Sequence, residues 1–198
     1  MTDKMARGLA VLALLGAAAA DAKWTEVAAG APVPVAKSRL AVIAPAHWNR
    51  ASARLSKKGE TWSFDGPLLN RIDFYAGVLP GEPLVKEANR KRDHLPKFAA
   101  NMLPTDVAEM FERTSRIANG AADFAIDTVT PTTFAGTKGF RFSYHYTGQD
   151  ETLTRKGLAT GAIVDGKLYL VSYAAPAVHY YDAGLADAQA VMDGAKLL

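Results

Sequence analysis

The sequence predicts an α+β domain with a central antiparallel β-sheet covered by two amphipathic helices. Three observations carry this. From Gly139 to Ala175 the chain reads GFRFSYHYT, a polar joint GQDE, TLTRKGLATGAIV, an Asp165-Gly166 pair and KLYLVSYAA. Phe140, Phe142, Tyr144 and Tyr146 alternate there with Arg141, Ser143, His145 and Thr147, the period of a half-buried strand. Asp-Gly between two such runs favours a tight hairpin, because both central residues of that turn need positive φ. Two further stretches carry apolar stripes at helical spacing, and such stripes need a sheet to cover.

Taken in order, the first 22 residues read as a separate device. Lys4 and Arg7 precede an apolar run of twelve residues from Leu9 to Ala20, and Ala20-Asp21-Ala22 has the small-residue pattern of a signal-peptidase site. Spanning a bilayer takes about 20 apolar residues, so a cleaved signal peptide is expected rather than an anchor, with the cut between Ala22 and Lys23. The expected destination is the periplasm or the exterior, with no stable membrane span after cleavage. The chain holds no Cys, which removes lipid attachment at a cysteine, disulfides and thiolate chemistry. The formal net charge of +3 is too small and too dispersed for a nucleic-acid binder.

Residues 23–37, with Trp24 and alternating Pro and Val, are expected as an extended arm or short edge strand, and residues 38–198 as one α+β domain. Strands are expected over Ser38 to Ile43, Thr61 to Asp65, Leu69 to Leu79 and Asp123 to Val129, with a solvated connector from Arg50 to Glu60. The helix N-cap is placed at Thr105, followed by Asp106 in the first turn and a stripe of Val107, Met110, Phe111, Thr114 and Ile117. Asn119-Gly120 supplies the stop. Residues from Pro131 to Gly139 read as a turn-rich bridge. The last helix is expected to begin at Pro176, with Val178, Tyr181, Leu185, Ala188, Met192 and Ala195 on its buried face. Gly184 and Gly194 each weaken it by about 1 kcal/mol relative to Ala.

This order of elements resembles the PsbP-like superfamily, which joins the photosystem II extrinsic proteins, a Ran-binding release factor and bacterial envelope proteins of the DcrB type. The resemblance rests on the early strand ending in Pro and Trp (Ile43 to Trp48), the mid-chain helix (Thr105 to Ala118) and the closing hairpin and helix DGKLYLVSYAAPAVHYYDAGLADAQAVMDG (Asp165 to Gly194). It implies an α/β/α sandwich and accessory binding or assembly work, with no shared catalytic motif to carry over.

Catalytic chemistry finds little support in the residue pattern. His47, His94, His145 and His179 form no close metal-ligand spacing, and no metal or other cofactor is expected. Neither a G-x-S-x-G elbow nor an S-x-x-K pair occurs, so the chain is not expected to be an enzyme. The candidate interaction residues are His47, Trp48 and Asn49, which follow a strand and Pro45, and Arg90, Lys91, Arg92 and Lys97 in the most basic window. The leading expectation is an exported envelope accessory protein that binds or assembles with an unidentified envelope protein. One alternative is a small-ligand or lipid carrier whose cavity under the C-terminal helix is lined by Tyr144, Tyr146 and Met192. Another is a hydrolase with a dispersed site near His145.

Overall fold

The computed structural model describes residues 23–87, 94–149 and 152–198. Eleven strands and two helices follow in the order β1 (Trp24–Val27), β2 (Pro32–Pro34), β3 (Leu40–Ile43), β4 (Trp48–Ala51), β5 (Gly59–Ser63), β6 (Arg71–Val78), α1 (Pro104–Asn119), β7 (Ala121–Phe134), β8 (Thr137–Gly148), β9 (Thr154–Val164), β10 (Lys167–Pro176), α2 (Tyr180–Asp193) and β11 (Lys196–Leu197). Eight strands form one sheet in the order β1-β4-β5-β6-β10-β9-β8-β7, and β11-β3-β2 form a second, small sheet. All neighbouring strands pair antiparallel.

The α+β expectation holds, and the large sheet separates two cores. On one face α1 packs Val107, Met110 and Phe111 against Phe124, Phe140, Phe142 and Tyr144. On the other, α2 and the small sheet enclose Trp48, Trp62, Phe74, Val171 and Tyr173. These are the layers of an α/β/α sandwich. The β9-β10 turn has φ of 51° at Asp165 and 69° at Gly166, as the Asp-Gly pair requires.

Several boundaries differ from the expectation. Residues 23–37 take the edge-strand form of the expectation rather than the extended arm: β1 pairs with β4 at one edge of the large sheet, and β2 pairs with β3 at an edge of the small one. The Ser38 to Ile43 strand joins the small sheet rather than the main one. The first helix begins at Pro104, where Leu103 N donates to the Asp106 carboxylate at 2.8 Å. Thr105 is therefore not the cap. Strand β7 runs on through Pro131 to Phe134, which the edge position permits because no further strand needs the missing N–H. The last helix starts at Tyr180, and Val178 is 73% exposed rather than part of the buried stripe. Tyr180 N reaches back to Val178 O at 2.9 Å around His179, whose φ is 68°. That tight turn uses up the residues between Pro176 and the helix.

Candidate functional site

Helix α2 lies over β9, β10 and β3, so among the described residues no helix covers the part of the same sheet face formed by β7 and β8. The alternation of β8 decides what is left open there. Its aromatic residues turn toward α1, while Arg141, Ser143, His145 and Thr147 face the α2 side and are half-buried. Antiparallel register sets Lys156 of β9 opposite His145, and Leu158 opposite Ser143. Two irregularities in β7, between Ala122 and Ala125 and between Ile126 and Thr128, break its alternation. The second leaves Asp127 as the extra residue.

The result is a polar strip with defined partners. His145 Nδ1 lies 2.7 Å from Asp127 Oδ1, with the two side chains 44% and 42% exposed. Thr128 and Ser143 share a hydroxyl hydrogen bond of 2.7 Å. Arg141 donates to Thr160 Oγ1 at 3.0 Å and to Asp193 Oδ1 at 3.1 Å, tying β8 to the end of α2. Lys156 Nζ sits 5.9 Å from the centroid of Tyr181, which is stacked on Tyr173 at 5.7 Å. Burial, then the nearby Asp182 and Asp127 carboxylates, hold the Tyr181 phenol above its ordinary pKa. It therefore presents a neutral hydroxyl at neutral pH.

Chemically, the strip offers an imidazole oriented by a carboxylate, two cations and a tyrosine ring on an open surface. Among the described residues no group of three or more His, Cys, Asp or Glu is placed to hold a metal ion. Asp127 went unnoticed in the sequence, because only the bulge puts it beside His145.

The other sequence candidates fall elsewhere. Trp48 is fully buried, its ring 3.8 Å from that of Phe64, so it is core rather than an exposed anchor. Its place in β4, opposite Val27, turns the indole inward. His47 is exposed and pairs with Glu26 at 2.6 Å. Asn49 borders a shallow hollow with Trp24, Ser63, Phe64 and Gly66. Lys97 is exposed, and Arg90, Lys91 and Arg92 lie outside the described residues, as does Ala22; Lys23 is exposed. Tyr144 and Tyr146 pack on the α1 face and Met192 on the α2 face, where Thr160 Oγ1 meets its sulfur at 3.5 Å. Because the sheet lies between them, these three residues line no common cavity.

No known family profile matches the sequence, and no curated protein matches it. Similar solved structures exist. The yeast Saccharomyces cerevisiae Ran-binding protein Mog1p superposes with a TM-score of 0.50 at 11% identity, over 89% of this chain and 96% of that one. The PsbP protein of the cyanobacterium Synechocystis gives 0.45 at 14% identity, over 88% and 82%. LpqN of Mycobacterium tuberculosis, involved in cell envelope biogenesis, gives 0.31 at 13% identity, over 87% and 88%. With Mog1p the likeness is one of fold, in line with the α+β architecture expected from the element order. No described helix is long and apolar enough to cross a membrane.

Proposed function

We propose that this is an exported accessory protein of the cell envelope that acts by binding a folded protein partner through the open polar strip of β7, β8 and β9. The observation that carries the reading is the incomplete cover of α2. It leaves Asp127, Arg141, His145, Lys156 and Tyr181 together at one face, with both charge signs, an Arg and a Tyr. That mixture suits a protein surface better than a lipid or a nucleic acid, each of which would ask for one sign of charge. A protein of the same fold, Mog1p, is a Ran-binding protein, so the fold is compatible with partner binding. Export is supported by the basic, apolar and Ala-Asp-Ala segments of residues 1–22.

The test is affinity capture from the envelope fraction with the wild-type protein and with a His145→Ala, Lys156→Glu variant. Both positions are partly solvated, so the variant keeps its fold, as circular dichroism will verify. A reproducible partner retained by the wild type and depleted about tenfold by the variant is expected. Equal capture by both, or none by either, refutes the strip as the binding face.

One observation favours a second reading, a hydrolase. The Asp127–His145 pair is the base-and-orienter half of a nucleophilic site, and Ser143 shares its sheet face. Ester hydrolysis that disappears in both His145→Ala and Ser143→Ala would establish it. Turnover indifferent to both changes rejects it.

A further inference from the structure

At the opposite end of β9 from the polar strip, the two sheets part to leave a cavity of about 500 Å³. Four cationic side chains line it: Lys37 and Arg39 from the β2-β3 turn, Lys58 from the approach to β5, and Lys167 from the start of β10. No acidic side chain is among the lining residues. The acidic neighbour is Asp165, which meets Arg39 Nη1 at 3.4 Å with both side chains more than half exposed. Such a contact does little to neutralise the guanidinium. Arg39 Nε also donates at 2.8 Å to the main-chain oxygen of Leu198, the last residue, whose terminal carboxylate is part of the lining, so Lys37, Lys58 and Lys167 are the cations left to meet a ligand.

The backbone prepares the site. Ala36 and Lys37 take φ of 50° and 53°, so the β2-β3 turn projects Lys37 from its tip. On the other wall, Leu168 pairs with Val78 but Tyr169 pairs with Ala76, leaving Gly77 as a bulge with φ 85°. The bulge keeps a side chain off the cavity floor, where the Tyr169 hydroxyl lies 3.4 Å from the position a Cβ at Gly77 would take. A second hollow of about 250 Å³ shares Lys58 and adds Lys57 and Lys86; Glu82 also lines it, its carboxylate accepting from Leu79 N at 3.0 Å. The two form a cationic trough with Lys58 at the junction.

We propose that this trough binds a small soluble anion carrying two or more phosphate groups. A flat basic patch fits any anionic surface, but here the cations converge on a concave space bounded by two sheets and floored by a phenol. Its size holds a compact ligand, and its charge calls for more than one negative group. Lys supplies charge-assisted bonds to phosphate oxygens as a point charge.

Isothermal titration calorimetry of the full-length protein with tripolyphosphate tests this. Saturable one-to-one binding is expected, weakened by rising salt. Lys58→Gln and Lys167→Gln should each lower the affinity about tenfold or more. Arg113→Gln, on α1 across the large sheet, should leave it unchanged. All three side chains are at least partly solvated, and unchanged thermal melting will separate lost binding from lost folding. Absence of binding, or equal weakening by all three substitutions, overturns the proposal. So does binding only to phosphatidylglycerol vesicles in co-sedimentation, which would assign the trough to a membrane surface.

Discussion

Replacing Gly184 by Ala should destabilise this protein, although Gly→Ala inside a helix ordinarily stabilises it by about 1 kcal/mol. The reason is Tyr173. Its side chain is fully buried, and its hydroxyl donates to the carbonyls of Tyr180 at 3.0 Å and Tyr181 at 3.3 Å in the first turn of α2. A Cβ at residue 184 would collide with that hydroxyl and lie 3.4 Å from the Phe64 ring. Tyr181 stacks on one face of the phenol and limits where it can move. Overpacking a site of this kind costs about 1–3 kcal/mol, and displacing the hydroxyl forfeits a further hydrogen bond of about 1 kcal/mol. Set against the helix gain, the net loss is about 1–3 kcal/mol. Urea unfolding measures it directly, and a double-mutant cycle isolates the cause. In a Tyr173→Phe background the clash with the hydroxyl is removed and only a tight 3.2 Å contact with the ring Cζ remains, so Gly184→Ala should lose most of its penalty, with a coupling of at least about 1 kcal/mol. A Gly184→Ala protein as stable as wild type, with no coupling to Tyr173, would show that the helix can lift off the hydroxyl freely and that the reasoning fails.

Glu60→Ala should cost about 2–4 kcal/mol in urea unfolding, because the buried carboxylate accepts from Ala36 N at 2.8 Å and Trp62 Nε1 at 2.9 Å and pairs with Arg50 at 3.1 Å. The Arg50 side chain is one-third exposed and partly solvated, which keeps the loss below that of a fully buried pair. Hydrogen exchange should quicken around Ala36 first, and a loss under about 1 kcal/mol contradicts this account. At high pH, stability should fall. Burial raises the Tyr75 and Tyr144 phenols above their ordinary pKa of 10.0. The folded state therefore holds protons that the unfolded chain releases, and the stability present below pH 10 is lost as pH rises further. Urea midpoints at pH 9 and 11 test the direction, and two tyrosinate absorbance steps appearing before unfolding would contradict it.

What could be read from the residues alone follows the strength of local periodicity. The β8-β9-β10 meander was legible because Phe140 to Thr147 alternate without a break and Asp165-Gly166 can occupy a turn that needs two positive φ values. Helix α1 was legible from its stripe, although the cap moved to Leu103 because Asp106, rather than Thr105, meets the free amide. The start of α2 was hidden, since Val178 continues the apolar spacing while the turn at His179 holds the helix off until Tyr180. Alternation tells that Tyr144 and Ser143 face opposite ways, but not which helix covers which face. Tyr144 and Met192 were therefore joined in one cavity and are in fact separated by the sheet. The polar strip was half legible: His145 followed from parity, and Asp127 did not, because a bulge changes parity at a place no local residue preference marks.

The two borders of the large sheet constrain how this protein meets anything else. One border is β1, only four residues long; the other is β7, interrupted twice by bulges and carrying Pro131, which has no N–H to donate. Neither presents a long, regular row of free backbone groups on which a foreign strand could zip. Under the binding role proposed above, recognition at this sheet would proceed through side chains on its faces rather than by strand addition at its borders.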